Sequence, residues 1–271
     1  MELRPTTADD LPAMHATFLD AIGELFTRHR FEPPSPPLEV FSSTQRHILE
    51  TGTSVVAEER ERVVGYCSAW ARGDDWFLAS LFVSPSAQAS GVGSALLDAV
   101  WGPAVRRRTL TDAIQPVSNT LYARRGLVPS TPLLTFAGVP AATDHESAEE
   151  APADLPAIDL AAYGFDRSVD HRYWERIARR ATWGDAYSYV FPGGAIGPVA
   201  GATPAAAARA LAGELGRARG PVRVRVPGSA RALVELVLAA RLRLDPVPGL
   251  LLLSDGVPQP TALAPSGYPL Y

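Results

Sequence analysis

The stretch Leu81-Phe-Val-Ser-Pro85-Ser-Ala-Gln88-Ala-Ser-Gly91-Val-Gly93 decides the expected fold of this chain. It begins as an apolar strand, turns at a proline and continues through a loop with two glycines. The next residues, 94–100, have the apolar spacing of a helix. Such a loop presents backbone N–H groups at a helix N-terminus, where unpaired donors and the helix dipole favour a bound anion, typically a phosphate.

Two common phosphate-binding motifs do not fit this loop. A dinucleotide fingerprint requires a third small residue three positions after the second glycine, where this chain has Leu96. A P-loop requires a lysine, and all 25 cationic side chains here are arginines. The absence of lysine also excludes enzymes that form a Schiff base with a lysine amine. An ordinary glycine-rich turn that binds nothing remains an alternative for a Gly-x-Gly pair considered alone.

A second motif follows at Asn119-Thr-Leu-Tyr122-Ala-Arg-Arg-Gly126-Leu. The pattern Gln88-x-x-Gly91-x-Gly93 resembles the acyl-CoA pyrophosphate loop of the GNAT superfamily of N-acetyltransferases. The second motif resembles the Asn…Leu-Tyr…Gly-Phe signature of the family's last helix, with Leu127 where the family often has Phe. The two motifs occur in the family's order, and the resemblance covers residues 1–138.

The pattern of predicted elements agrees with this resemblance. Predicted strands cover residues 2–6, 54–57, 62–70, 76–83, 109–114 and 133–137. Predicted helices begin after the N-cap Thr7 and cover about 38–51, 93–101 and 117–125. The resemblance implies a fold of the α/β (mixed α+β) class, with a central mixed, mostly antiparallel sheet flanked by helices.

The chain after residue 138 is expected to contain a linker and a second domain. Residues 139–156 are acidic and rich in Ala and Pro, as in an interdomain linker. Residues 157–271 repeat the strand and helix order at the end of the first domain, with Ile196–Gly201 standing where Leu81–Pro85 stood. This resembles tandem-GNAT proteins with a smaller, degenerate second copy. Because that copy lacks a Gln-x-x-Gly-x-Gly loop, it is not expected to bind acyl-CoA in the same way.

The resemblance implies that the first domain, residues 1–138, binds acetyl-CoA as cosubstrate and uses no metal. The residues implied in binding are Leu81, Phe82, Val83, Gln88, Ser90, Gly91, Val92, Gly93, Ser94, Asn119, Tyr122 and Arg125. In this family, the strand before the glycine loop splays from its neighbour and pantetheine pairs with its free edge. Plain core packing is the alternative for Leu81 and Val83, helix capping for Asn119, and a solvated face for Arg125.

Tyr122 is the candidate general acid. A phenol has a pKa near 10 and a thiol near 8.5, so a protonated tyrosine can donate to the thiolate that leaves. Packing of the helix on the sheet is the alternative role. The general base is less defined: the candidates are Glu24, Asp75 and Asp112, or a water relay, although Asp75 is also typical of a surface turn. The last residues, 265–271, are expected to form a disordered tail, with docking of this aromatic segment as the alternative.

Three further features have structural interpretations. His171, within Asp166–Trp174, could face an active site, but a helix-capping cluster is favoured. Arg106–Arg108 are expected at a solvated helix end, with a phosphate contact as the alternative. Cys67 lies in an apolar stretch and is expected to be a buried thiol. As the sole cysteine it excludes an intramolecular disulfide.

The expected function is transfer of an acetyl group from acetyl-CoA to a primary amine of a small molecule or a protein. A silent acyl-CoA-sensing module and a structural interaction protein are the alternatives. The net charge of −4 argues against a nucleic-acid partner. No apolar run approaches membrane-spanning length, so we expect no membrane association and a cytoplasmic location. The composition suggests a bacterial source, and a homodimer remains open.

Overall fold

The computed structural model describes residues 1–143 and 149–271, so part of the predicted linker lies outside the described residues. The contacts divide the chain into two compact units. The first consists of Met1–Thr109 and Ile114–Arg125, and the second of Leu110–Ala113 and Gly126–Tyr271. The expected domain boundary at residue 138 therefore differs from the boundary drawn by contacts and stays a prediction.

The first unit is built on five strands. Its elements are β1 (Glu2–Pro5), α1 (Leu11–Arg28), α2 (Leu38–Thr51), β2 (Gly52–Glu59), β3 (Arg62–Arg72), β4 (Asp75–Val83), α3 (Val92–Val100), β5 (Arg106–Asp112) and α4 (Pro116–Ala123). The last three residues of β5, Leu110–Asp112, belong to the second unit. The strand order is β1-β2-β3-β4-β5. Neighbours are antiparallel except for the parallel pair β4–β5, so the expected mixed, mostly antiparallel sheet is confirmed.

Local sequence signals explain where the first helices begin and end. Thr7 and Asp10 form the expected N-terminal box: the Thr7 N–H donates to Asp10 Oδ2 at 2.8 Å, and a 3-10 turn then leads into α1. Helix α2 has the predicted bounds. It ends at Gly52, where a Cβ would lie 2.3 Å from the carbonyl oxygen of Ala69, so only glycine lets β2 start this close to β3.

Helices cover both faces of the first unit's sheet. Side chains alternate along a strand, so Gly65 and Tyr66 of β3 point to opposite faces. Tyr66 is fully buried and joins Met14 and Phe41 in an apolar cluster formed with α1 and α2. A Cβ on Gly65 would lie 3.0 Å from Cδ1 of Leu96, which shows how closely α3 approaches the other face.

The second unit contains the remaining elements. They are β6 (Val128–Gly138), α5 (Leu155–Ala162), α6 (Ser168–Trp174), β7 (Arg179–Thr182), β8 (Ala186–Val190), β9 (Ala195–Gly201), α7 (Pro204–Arg217), β10 (Val222–Pro227), α8 (Arg231–Ala239), β11 (Arg243–Leu244), β12 (Gly249–Leu253) and β13 (Leu263–Ala264). The strand order is β12-β6-β10-β9-β8-β7, with β11 on β6 and β13 on β9. The pair β9–β10 is parallel, and the antiparallel strand pairs are β6–β10, β6–β11, β6–β12, β7–β8, β8–β9 and β9–β13.

The pairing of strand β6 explains why the main segment of the second unit begins at Gly126, before the predicted domain boundary at residue 138. It was predicted as the last strand of the first domain. In the structure it lies between β10 and β12, with Leu133 opposite both Pro227 and Gly249. Its backbone hydrogen bonds are therefore made within the second unit. Sequence periodicity identifies a strand but does not specify its partner, because pairing is set by long-range packing.

The helix end predicted at Arg106–Arg108 is wrong, and a helix begins within the predicted linker. Arg106–Arg108 do not lie at a helix end, because they form the first residues of β5. Arg106 and Arg108 both bind Asp75 on the neighbouring strand, and this ion pairing accounts for charged residues inside a sheet. Helix α5 begins at Leu155, inside the predicted linker, where Asp154 caps it by accepting from the Ala157 N–H at 3.2 Å.

The C-terminal residues are ordered, so the predicted disordered tail is wrong. Leu270 and Tyr271 are 3% and 2% exposed. Their main-chain oxygens accept hydrogen bonds from the guanidinium of Arg167, which is itself fully buried. Arg167, which belongs to the segment Asp166–Trp174 expected to cap a helix, thus binds the last two residues.

Candidate active site

Strand β4 separates from β5 halfway along its length. The parallel pairing runs from Asp75, opposite Arg106, to Leu78, opposite Thr109. Directly after Leu78, the pairing with β3 shifts by one residue, so that Ala79 is an extra residue on β4. A bulge of this kind bends a strand and ends regular pairing. The last part of β4, from Leu81 to Val83, therefore follows a kink beyond the end of its pairing with β5.

The three candidate residues on this segment point to alternate faces. Phe82 contacts Phe18 of α1, with ring centroids 4.9 Å apart, and lies on the same face as the α1–α2 cluster. Val83 is on the other face, where a Cβ on Gly93 would lie 3.7 Å from its Cγ2 atom. Leu81 and Val83 are half-buried, so their side chains pack against neighbouring residues. Their backbone lies in the part of β4 after the kink at Ala79.

Two side chains fix the loop after β4, one by a bond to the strand and one by a bond within the loop. Gln88 Nε2 donates to the carbonyl oxygen of Val83 at 3.0 Å, and Ser90 Oγ donates to that of Ala87 at 2.7 Å. Both side chains were predicted to bind the cofactor. Their hydrogen bonds here give them a role in fixing the loop, since each replaces a backbone contact that an irregular loop lacks.

Helix α3 begins at a glycine that carries no capping side chain. Gly91 has a φ of +87°, a conformation that favours glycine, and the space around its Cβ position is open to 4 Å. The first intrahelical bond of this turn is Ala95 N–H to Gly91 O at 3.1 Å. The N–H groups of Val92, Gly93 and Ser94 precede it and have no acceptor within the helix. This helix start is suited to an anion.

A cation lies against the same helix start. Arg125, just after α4, donates to Ser94 Oγ at 2.8 Å and to Asp98 Oδ1 at 2.6 Å. Its side chain is 19% exposed, whereas Asp98 is 63% exposed. The solvated-face alternative for Arg125 is therefore wrong, because the guanidinium is held in the first turns of α3. It adds positive charge beside the N–H groups.

Tyr122 lies on the buried side of α4 and is 4% exposed. Burial raises the pKa of its phenol, and a hydrogen bond with Ser118 opposes that shift in part. Cys67 is close enough to raise the pKa of Tyr122 as well, and Cys67 is the register partner of Leu81 on β4. The phenol thus stays protonated at neutral pH and lies near Cys67, whose partner Leu81 belongs to the part of β4 beyond its pairing with β5.

Two other expectations concern α4 and Cys67. The N-cap of α4 is Gln115, whose side chain accepts from the Val117 N–H at 3.3 Å. Asn119 lies inside the helix, so the capping alternative for it is wrong. Cys67 is fully buried, as expected, and burial raises its thiol pKa far above the usual range, which keeps it unreactive.

The general-base candidates have different environments. Asp75 is 1% exposed and both of its carboxylate oxygens bind arginines, so it is neither a surface turn nor a free proton acceptor. Glu24 is an exposed partner of Arg28, one helical turn away. Asp112 belongs to the second unit, where burial raises its pKa.

His171 lies in a buried polar network of the second unit. Its Nδ1 is 2.9 Å from the Tyr189 hydroxyl, and its Nε2 is 3.1 Å from Asp159 Oδ2. The other oxygen of Asp159 accepts from the Tyr187 hydroxyl at 2.7 Å. His171 itself therefore does not cap the helix, but the segment Asp166–Trp174 contains a helix cap, as favoured. The residue that satisfies the Ser168 N–H at this helix start is Asp166.

Sequence reasoning missed a buried polar chain beneath β4. Ser54 and Ser68 on neighbouring strands lie 2.8 Å apart, Ser68 donates to Gln45 Oε1 at 3.4 Å, and Gln45 Nε2 donates to Ser80 at 3.2 Å. Ser80 directly follows the bulged Ala79. The sequence signal that could have revealed this polar chain is a serine inside each of three apolar strands, β2, β3 and β4. Because the Gln45 amide interrupts the hydroxyls, this chain ties α2 to the bulge and does not form a continuous proton path.

The kinked strand, the open helix start and the following helix occupy a segment that matches a known family. Residues 50–127 match the family model "Acetyltransferase (GNAT) domain". The chain contains a GNAT acetyltransferase domain. The matched segment runs from the end of α2 through the glycine loop to the residue after Gly126, and it includes both sequence motifs.

Solved structures extend the likeness in fold to almost the whole chain. A protein from Pyrococcus horikoshii assigned as an acetyltransferase has a TM-score of 0.77 at 20% identity, covering 100% of this chain and 95% of its own. A GCN5-related N-acetyltransferase from Sphaerobacter thermophilus has a TM-score of 0.64 at 17% identity, covering 95% and 96%. A tandem GNAT protein from the clavulanic acid biosynthesis pathway has a TM-score of 0.57 at 14% identity, covering 95% and 99%. The tandem GNAT fold is therefore confirmed.

No curated protein matches the sequence. In the described ranges 1–143 and 149–271, no helix combines the length and apolar character needed to cross a membrane.

Proposed function

We propose that this GNAT protein is an N-acetyltransferase that transfers the acetyl group of acetyl-CoA to a primary amine of a small molecule or a protein. The single observation that carries the proposal is the uncapped start of α3 at Gly91, placed directly after the kinked end of β4. N–H donors without an acceptor in the helix and an extended strand edge in one segment fit a ligand with a pyrophosphate and an extended amide arm.

The chain holds the pyrophosphate through backbone groups. The N–H groups of Val92, Gly93 and Ser94 donate to phosphate oxygens, and the helix dipole adds to this attraction. Gly91 has no Cβ, so the phosphates can approach the backbone closely. Arg125, fixed against Ser94, contributes a positive charge at the same end of the helix. Gln88 and Ser90 act by fixing the loop in this shape.

The backbone from Leu81 to Val83 pairs with the amide arm, and one of its N–H groups polarises the thioester carbonyl. Acetyl-CoA supplies the activated acetyl group as this thioester. The amine nitrogen forms a bond to the carbonyl carbon, the carbon–sulfur bond breaks, and the sulfur leaves with the electron pair. Stabilising charge on the carbonyl oxygen is the largest rate contribution expected of such a backbone donor.

Tyr122 gives its proton to the departing sulfur. Its phenol is protonated at neutral pH because burial raises its pKa. It lies near Cys67, the partner of Leu81, and thus close to the strand that carries the thioester. The proton of the attacking amine passes to water or to a base that the described contacts do not identify. A general acid of this kind contributes about 100-fold in rate.

The test is release of free thiol from acetyl-CoA with a panel of primary amines, using the wild type, Tyr122→Phe and Ser118→Ala. We expect Tyr122→Phe to lower kcat by about 100-fold with unchanged acetyl-CoA affinity. Ser118→Ala is the control that removes the neighbouring hydroxyl and leaves the phenol, and it should retain most of the activity. Binding of acetyl-CoA without turnover of any amine would favour a sensing module, and Tyr122→Phe would then be silent.

A further inference from the structure

The second unit repeats the kinked strand of the first. Strand β9 pairs in parallel with β10 at Ala195 and Ile196, and this pairing ends there. The pairing of β9 with β8 then shifts by one residue between Val199 and Ile196. Strand β4 has the same arrangement, because its parallel pairing with β5 ends at Leu78 and Ala79 is the extra residue opposite β3. The shared bulge aligns Ile196 with Leu78, three residues away from the predicted alignment with Leu81.

The edge of β9 beyond this kink is already occupied. Strand β13 pairs with it in the antiparallel sense, with Leu263 opposite Ala200 and Ala264 opposite Val199. The Gly201 N–H donates to the carbonyl oxygen of Ala262 at 3.0 Å. Leu263 and Ala264 are fully buried. The occupant is thus an extended segment of the same chain that uses main-chain hydrogen bonds.

The kinked part of β9 is shaped for this segment. Gly197 has a φ of +145°, and a Cβ there would lie 2.4 Å from the carbonyl oxygen of Pro265. A contact that close cannot exist, so only glycine at position 197 permits the approach of the C-terminal segment. Beyond Pro265 the segment is held by Arg167, which donates to the main-chain oxygens of Leu270 and Tyr271.

The start of the following helix is also occupied by the chain. Helix α7 begins at Pro204, which has no N–H, and Thr203 Oγ1 accepts from the Ala206 N–H at 3.1 Å. Helix α3 begins instead at Gly91 without a side-chain cap. Both features proposed to hold acetyl-CoA in the first unit, the strand edge and the helix donors, are therefore matched in the second unit by protein groups.

We infer that the second unit is a self-filled copy of the acetyl-CoA site, in which residues 262–265 occupy the β9 edge and Thr203 and Pro204 close the helix start. The protein then binds one acetyl-CoA per chain. This stoichiometry rests on the proposed function of the first unit, whereas the filled edge does not. The second unit's edge serves to fix the C-terminal segment.

The test combines hydrogen exchange with calorimetric titration of acetyl-CoA into the full chain. In the wild type, the amides of Gly201 and of residues 263–264 should exchange slowly with or without ligand, and binding should saturate at one acetyl-CoA per chain. Gly197→Ala should raise exchange at these amides at least about 10-fold, a cost of about 1.4 kcal/mol in local opening. Its stoichiometry should stay at one, since the helix start remains closed.

Gly193→Ala is the matched control for Gly197→Ala. It also replaces a glycine of positive φ in the second unit, but its Cβ position is open to 4 Å. It should leave the exchange of Gly201 and residues 263–264 unchanged. If Gly197→Ala does not fold, hydrogen exchange in two other proteins tests the filled edge. These are the wild type and Tyr268→Phe, which removes one hydrogen bond from the segment.

Two results would overturn the inference. One is a wild type in which residues 262–264 exchange as fast as a free peptide. The other is binding of two acetyl-CoA molecules per chain. A wild type that binds no acetyl-CoA contradicts the proposed function alone, because the exchange measurement tests the filled edge without any ligand.

Discussion

The Tyr268 hydroxyl donates a hydrogen bond of 2.9 Å to Oδ1 of Asp112, joining the C-terminal segment to the end of β5 within the second unit. The Arg225 guanidinium lies 5.7 Å from the Tyr268 ring. Gly249 allows this arrangement, since a Cβ there would lie 2.5 Å from the Tyr268 hydroxyl oxygen. Burial raises the pKa of Asp112, while Tyr268 and Arg225 oppose that shift and Asp245 adds to it.

Tyr268→Phe should destabilise the protein in a pH-dependent way. The folded pKa of Asp112 is above its unfolded value, so protonation contributes stability that is fully present below the unfolded pKa and is lost as pH rises through the folded pKa. At pH 7 the phenol stabilises the charged carboxylate, and its loss should cost about 1–2 kcal/mol. Urea unfolding at neutral pH and at about pH 3.5, below the ordinary aspartate value, should show a smaller cost in acid. An equal cost at both pH values would contradict this account.

Arg167→Met should cost about 3–5 kcal/mol of unfolding free energy. The side chain is fully buried, pairs with Asp170 at 3.3 Å and donates to the last two main-chain oxygens, so its removal leaves a buried carboxylate and carbonyls without their donor. Arg209→Gln is the control, because its pair with Asp185 is partly exposed and should contribute less than about 1 kcal/mol. Denaturant midpoints measure both. Similar costs for the two variants would contradict the proposed anchoring role.

Asp10→Asn should weaken the protein at neutral pH but not in strong acid. The hydrogen bonds and charge of Arg4 hold the pKa of Asp10 at about 2, below its ordinary value of 3.8. A depressed pKa contributes stability that is present above the unfolded value and is lost as pH falls from about 4 to about 2. Since Arg4 is 34% exposed, solvent screening reduces this contribution to about 1 kcal/mol.

The measurement for Asp10 is unfolding by urea across that pH range. The stability difference between Asp10→Asn and the wild type should shrink as pH falls from about 4 and should be mostly lost near pH 2, where about half of the wild-type carboxyl is protonated. A difference that persists unchanged at the lowest pH would mean that the side-chain hydrogen bonds to Thr7, and not the charge, carry the effect.

Much of the first unit could be predicted from local sequence. The bounds of α2 follow from apolar spacing and from Gly52, and the loop from Gln88 to Gly93 follows from its glycines and the flanking apolar strand. These features depend on nearby residues. The bulge at Ala79 could not be predicted, because it appears only in the register between β3 and β4.

The second unit was less predictable because its defining contacts are distant in sequence. Arg167 binds residues more than one hundred positions away, and a charged residue in a polar motif gives no sign of complete burial. The two-residue strand β13 has no periodicity to detect. Small alanine-rich and glycine-rich segments, such as Ile196–Gly201, pack closely but carry weak patterns.

The central claim is that the helix start at Gly91 holds the phosphates of acetyl-CoA, and calorimetric titration of acetyl-CoA tests it most directly. The wild type, Gly91→Val and Gly73→Val should be compared. Both glycines have positive φ and open space at the Cβ position, so the two substitutions impose the same kind of backbone strain. We expect binding in the wild type and Gly73→Val, and loss of binding in Gly91→Val. Equal binding by all three proteins would contradict the proposed site.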